Sequence, residues 1–148
     1  MTRHEILKLF TDTEVLKTGH FILTSGRHSD KYMQCAQLFQ YPEATEKACR
    51  ELAKNLKDLE IETVVGPAVG AITFSYEMAR ALKVRSIFAE REEGKMTLRR
   101  GFAVKPGEKV LVVEDIVTTG GSVKEVISLL QSFGADVVAV AESGYPAQ

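Results

Sequence analysis

Residues 110–122, Val110-Leu111-Val112-Val113-Glu114-Asp115-Ile116-Val117-Thr118-Thr119-Gly120-Gly121-Ser122, run from a short apolar stretch through two adjacent carboxylates into a turn of hydroxyls and glycines. Four consecutive aliphatic residues suit a strand buried on both faces, as in a parallel sheet covered by helices. Such a strand delivers Glu114 and Asp115 to the carboxyl edge of the sheet, where open α/β proteins bind their ligands. Thr118 to Ser122 then open a helix, whose free N–H groups and positive dipole end favour an anion. Carboxylates repel a bare phosphate, so the pair suits a ligand that also carries vicinal hydroxyls or a divalent cation. An ordinary strand-to-helix turn uses the same glycines, serines and threonines, but burying two unpaired carboxylates beside it is costly.

On either side of this element the pattern alternates. Pro42 suits a first helical position, and Ala44, Ala48, Leu52, Leu56 and Leu59 recur at helical spacing, which predicts a helix over 42–58. Then follow a strand at Thr63–Val65, a helix at Ile72–Leu82, strands at Val84–Ala89 and Lys109–Glu114, a helix at Ser122–Phe133 stopped by Gly134, and a strand at Asp136–Val140. This order predicts an α/β fold with right-handed crossovers and a mostly parallel sheet. The charged segment from Arg91 to Arg100 reads as an exposed, mobile loop. Near the start, Thr2 and Glu5 have capping-box spacing, and an apolar stripe predicts a helix over 3–17. Segment 20–40 reads as two short strands joined by Ser25-Gly26-Arg27-His28-Ser29-Asp30. Residues 1–148 are thus expected to form one domain, with an N-terminal appendage (1–40) and an α/β core (41–148).

Bulk composition narrows the partners. The formal net charge is −1, with both signs spread along the chain, which argues against a nucleic-acid partner. Cys35 and Cys49 fit neither a disulfide framework nor a zinc site, so reduced thiols in a cytoplasmic protein are expected. No stretch approaches the ~18 apolar residues of a bilayer span, and a soluble protein without a membrane partner is expected. His4, His20 and His28 read as surface or structural residues.

The 110–122 element resembles the phosphoribosyl-pyrophosphate (PRPP) signature of type I phosphoribosyltransferases. Gly19-His20-Phe21-Ile22-Leu23-Thr24-Ser25-Gly26-Arg27-His28-Ser29-Asp30-Lys31-Tyr32 resembles the N-terminal hood motif of orotate phosphoribosyltransferases, and Phe88-Ala89-Glu90-Arg91-Glu92 the entrance to their catalytic loop. The resemblance implies the type I phosphoribosyltransferase fold, a mostly parallel twisted sheet flanked by helices with a small N-terminal hood. It also implies PRPP and orotate as substrates, Mg2+ as cofactor, orotidine 5′-phosphate and pyrophosphate as products in de novo pyrimidine synthesis, and a homodimer.

By the same resemblance, Glu114 and Asp115 meet the ribose hydroxyls, and Ile116, Val117, Thr118, Thr119, Gly120, Gly121 and Ser122 complete the PRPP site, the last five around the 5-phosphate. Pro67, Ala68, Val69 and Gly70 would cradle pyrophosphate. Ser25, Gly26, Arg27, Tyr32 and Met33, with Thr118, would hold orotate. Arg91 and Lys95 would supply cations to the departing pyrophosphate, acting with Asp115 as the catalytic group. No side chain is expected as a dedicated magnesium ligand; PRPP carries the ion, with Glu114 and Asp115 the candidate carboxylates beside it.

Each piece alone has a plainer reading: a hairpin turn at Ser25–Arg27, close strand–helix packing at Pro67–Gly70, a solvated charged loop at 91–100. Their combination carries the assignment. Departures from the family pattern are Val69 where many relatives carry lysine, and a shorter loop without histidine in which Arg99 or Arg100 would compensate. After Ala141, relatives continue with a Val-Asp-Arg-like strand end, whereas this chain passes to Glu142-Ser143-Gly144-Tyr145-Pro146-Ala147-Gln148. The expectation is a missing segment and an intact mass above 16.3 kDa. Alternative functions are transfer to a purine or uracil, or a PRPP-sensing regulator on the same fold.

Overall fold

The computed structural model describes residues 16–22, 28–33, 39–114 and 121–142. Strands β1 (Leu16–Ile22) and β2 (His28–Met33) pair antiparallel in a separate two-stranded sheet. The two strands expected in segment 20–40 are therefore present, joined across 23–27, which lie outside the described residues. The helix expected over 3–17 lies outside them as far as residue 15 and is corrected at its end. Leu16 and Lys17 belong to β1, opposite Met33 and Tyr32. A short apolar run fits a helix stripe and a strand equally well, and long-range pairing decides between them.

Helix α1 (Pro42–Lys54) is followed by a 3-10 turn at Lys57–Leu59, so the helix expected over 42–58 ends early, at Asn55. The core sheet has five strands in the order β5-β4-β3-β6-β7. They are β3 (Thr63–Pro67), β4 (Arg85–Glu92), β5 (Lys95–Leu98), β6 (Lys109–Glu114) and β7 (Asp136–Glu142). The β3–β4, β3–β6 and β6–β7 pairs are parallel; only β5 runs against its neighbour. Helix α2 (Ile72–Leu82) links β3 to β4, and α3 (Gly121–Ser132) links β6 to β7.

The two central strands show why a continuous apolar run was the correct strand signal. Alternate residues of β3 and β6 enter two separate cores, one on each face of the sheet. Val64, Leu111 and Val113 pack with Phe74 and Met78 of α2 and Cys49 and Ala53 of α1. Val65, Val110 and Val112 pack with Val123, Val126 and Leu130 of α3. Full burial of each such side chain stabilises by roughly 1.5–3 kcal/mol. Gly134 ends α3 as expected: its φ is +83°, and Ala135 N–H and Gly134 N–H return to the carbonyls of Leu130 (3.1 Å) and Gln131 (2.9 Å). Burial, with Glu77 nearby, pushes the Cys49 thiol up to about 12 and leaves it protonated and inert.

The expected mobile loop at 91–100 is the main correction. β4 continues to Glu92, Glu93 and Gly94 turn with φ of 52° and 82°, and β5 returns beside it with Glu92 opposite Lys95 and Ala89 opposite Leu98. Two central residues of positive φ make the tight turn that matches strand twist. Met96 is buried against Ala89 and Val104, while the flanking charges stay in water. A run of charges hid a hairpin with one buried face.

The amino edge of the sheet is tied by a buried carboxylate. Glu108 accepts from the Thr63 hydroxyl, from Arg85 Nη2 (2.9 Å) and from Lys105 N–H (3.0 Å). Burial alone would raise its carboxyl; the Thr63 hydroxyl, the Lys105 N–H and the Arg85 guanidinium together hold it below its ordinary value. A depressed folded-state value stabilises above the unfolded value, near pH ~4.3, and that stability is lost as pH falls through the folded value. Glu108→Gln is therefore expected to cost roughly 1–2 kcal/mol at pH 7 and progressively less below pH ~4. Urea unfolding at both pH values checks this; equal stability of the two proteins at pH 7 would contradict it.

Candidate active site

The topology marks a ligand edge. From β3 the chain crosses through α2 to β4 on one side, and from β6 it crosses through α3 to β7 on the other. The strand order therefore switches direction between β3 and β6, the place where the connections leave a crevice. Pro67 lies opposite Ala89, and Val65 lies opposite Val112, so Pro67, Ala89 and Glu114 end level with one another at this edge. Both α2 and α3 begin there, each with its N-terminal N–H groups and positive dipole end towards the crevice.

Glu114 is the last residue of β6 and one of the few buried charged side chains, 9% exposed. Asp115, Ile116, Val117, Thr118, Thr119 and Gly120 lie outside the described residues, between Glu114 and the first residue of α3. Helix α3 starts at Gly121, and Ser122 is half-buried in its first turn. The strand, the carboxylate and the helix expected around the phosphate-binding turn are thus all present, in the expected order.

After β3, the segment Pro67–Gly70 forms the second wall. Pro67 is buried as the final strand residue, two residues beyond the expected end at Val65, because Gly66 and Pro67 still pair with Phe88 and Ala89. Ala68 N–H donates to the Ala89 carbonyl (2.7 Å), the Ala68–Val69 peptide is cis, and Val69 is 82% exposed. Ala71 and Ile72 N–H groups turn back to the carbonyls of Pro67 (3.3 Å) and Val69 (3.2 Å). The N–H groups of Val69 and Gly70 make no backbone hydrogen bond among the described residues, which leaves them available to an anion. Gly66 explains how strand and helix come so close. A Cβ there would stand 3.0 Å from the Ala71 carbonyl oxygen and 3.1 Å from Cβ of both Ala71 and Ser75. Close packing and an anion cradle are therefore compatible readings of this segment.

The hairpin carries Arg91 and Lys95, the two cations expected at the site. Arg91 lies two residues beyond Ala89, past the ends of β3 and β6, and its Nη1 pairs with Glu125 Oε2 of α3 at 2.7 Å. Lys95 is exposed at the hairpin turn, across from Glu92. Arg99 and Arg100 are engaged elsewhere. Arg100 donates to Glu90 from Nε (2.7 Å) and Nη2 (3.3 Å) and lies over the Phe88 ring, 5.5 Å from its centre. The Arg100 guanidinium, assisted by Arg99, holds the Glu90 carboxyl below its ordinary value. Phe102 meets the Phe88 ring edge-on at 5.2 Å, so these groups brace the hairpin. The Arg91–Glu125 and Glu90–Arg100 pairs escaped the sequence reading, since nothing in local spacing joins residues so far apart.

Of the expected orotate residues, Ser25, Gly26 and Arg27 lie outside the described residues, and Tyr32 and Met33 belong to β2. Among the described residues no helix is long and apolar enough to cross a membrane.

Comparison with known proteins agrees with this architecture. Residues 37–143 match the phosphoribosyl transferase domain. The chain is 62% identical over 135 residues to the orotate phosphoribosyltransferase of Thermotoga maritima, covering 91% of this chain and 72% of that protein. It is 56% identical over 141 residues to the orotate phosphoribosyltransferase of Caldicellulosiruptor saccharolyticus, covering 95% and 74%. The fold is similar to the crystal structure of orotate phosphoribosyltransferase from Aeropyrum pernix, with a TM-score of 0.73 at 24% identity over 92% of this chain and 79% of that one. A strand order that changes direction between β3 and β6, a carboxylate closing β6 and more than half the residues shared with such relatives have one explanation: the chain belongs to the phosphoribosyl transferase domain family and, within it, to the orotate phosphoribosyltransferases.

Proposed function

We propose that this protein transfers the phosphoribosyl group of PRPP to N1 of orotate, giving orotidine 5′-phosphate and pyrophosphate in pyrimidine biosynthesis. The observation that carries the reaction class is the crevice between β3 and β6, at the edge where two helices begin, the Val69 and Gly70 amides follow β3, and β6 ends in buried Glu114. The base is supported by relatives that share 56–62% of residues and are named for orotate.

In the reaction the bond from the ribose C1 to pyrophosphate oxygen breaks, N1 of orotate bonds to C1, and N1 loses its proton. PRPP already carries its leaving group, so no protein nucleophile is required. The chain's residues orient and stabilise: Glu114 and Asp115 accept from the ribose hydroxyls, the turn at 118–122 holds the 5-phosphate, and the Pro67–Gly70 amides receive pyrophosphate. Arg91 and Lys95 meet the charge that accumulates on the leaving group. Ser25, Gly26, Arg27, Tyr32 and Met33 with Thr118 hold orotate.

Among the described residues no group of three His, Cys, Asp or Glu could hold a metal ion. Glu114, a single carboxylate at the edge, fits a magnesium ion that arrives on substrate phosphates and takes one or two carboxylates. Magnesium bound with PRPP would neutralise pyrophosphate as it leaves. A cytoplasmic homodimer belongs to the same reading, on the resemblance to the family alone.

Pyrophosphate release measured with PRPP, magnesium and a panel of orotate, uracil, hypoxanthine, adenine or no base tests the proposal. Turnover with orotate is the expected result; turnover with a purine or uracil alone, or PRPP binding without turnover, would overturn it.

A further inference from the structure

We propose that Glu125 is a positioning residue that holds the Arg91 guanidinium against the helix opening the phosphate site, so that pyrophosphate competes with Glu125 for the guanidinium. This rests on the transferase reading above.

The geometry is specific. Glu125 sits four residues after Gly121, one turn into α3, and its carboxylate meets Arg91 Nη1 at 2.7 Å. Arg91 Nη1 also donates to the Gly94 carbonyl (3.1 Å), so the guanidinium is fixed relative to its own hairpin as well. The other ion pairs of the hairpin, Glu90 with Arg99 and Arg100 and Glu92 with Arg99, are internal to it and the residues that follow it. Among the described residues, Arg91 alone carries a charge pair from the hairpin to α3. Both partners are nearly half exposed, 45% and 47%, and an exposed pair of this kind changes an equilibrium by only about 1.5- to 5-fold. That is strong enough to set a resting position and weak enough for a multiply charged anion to displace.

Glu125→Gln should therefore bind magnesium pyrophosphate about two- to five-fold more tightly in calorimetry at low ionic strength, with the gain shrinking in 0.5 M salt. The KM for PRPP should fall without a rise in kcat. Removing any carboxylate near an anion site favours the anion, so the decisive comparison uses an Arg91→Gln background, where the same change should bring a clearly smaller gain. An equal gain in both backgrounds, or no gain in either, would overturn the role of Glu125. Absence of pyrophosphate binding by the unaltered protein would instead overturn the transferase reading itself.

Discussion

Asp115→Asn is expected to lower kcat/KM for PRPP by about 100-fold, the loss of one or two charge-assisted hydrogen bonds to the ribose, while the protein stays folded. Asp115 follows directly on Glu114, the last residue of β6, and its proposed role is to accept from the ribose hydroxyls. The neighbouring Glu114 provides the contrast. It is buried, so Glu114→Gln should lower both activity and stability, whereas Asp115→Asn should leave the melting temperature in place. Steady-state kinetics with varied PRPP, together with a thermal melt, check both halves. Kinetics like those of the unaltered protein would remove Asp115 from the site; a lowered melting temperature would give it a structural role instead.

Gly66→Val is expected to damage stability and activity together. The backbone carbonyl of Ala71 and the Cβ atoms of Ala71 and Ser75 already crowd the space a side chain would enter, and Ala71 and Ser75 are buried. Overpacking of this kind costs about 1–3 kcal/mol, or a fall of about 2–12 °C in Tm for a chain of this size. Because the first turn of α2 must move away, the amides of Val69 and Gly70 move with it. The KM for PRPP should rise more than kcat falls. A variant with unchanged Tm would show that strand and helix are not held at this separation.

The central architecture was legible because its signals are local. Val110 to Val113 read as a doubly buried strand, and the alternation of those residues between the two cores is why no polar position interrupts the run. Gly134 announced the end of α3 through its conformation. The limits Ile72–Leu82 and Lys109–Glu114 agree with the sequence reading. The hairpin was not legible as such. Glu92, Glu93 and Lys95 suggest a solvated loop, and only Met96 and Leu98, spaced by two and packed under α3, betray the strand. A strand of four residues with one buried face offers too few apolar positions to outweigh its charges. Leu16 and Lys17 failed for the related reason that pairing with Met33 and Tyr32 is a distant event. At the site, the turn expected at 115–120 lies outside the described residues, while Glu114 at the end of β6 and the glycine-containing turn after β3 could be read from the sequence. The pairing of Arg91 with Glu125, and of Arg100 with Glu90, depends on where the hairpin lies across α3 and could not.

The most direct test of the account is a crystal structure of the protein soaked with PRPP and magnesium. The 5-phosphate is predicted to lie against the first turn of α3, with the ribose hydroxyls on Glu114 and Asp115 and the pyrophosphate between the Pro67–Gly70 segment and Arg91. Clear density for PRPP elsewhere, with the crevice between β3 and β6 empty, would contradict it.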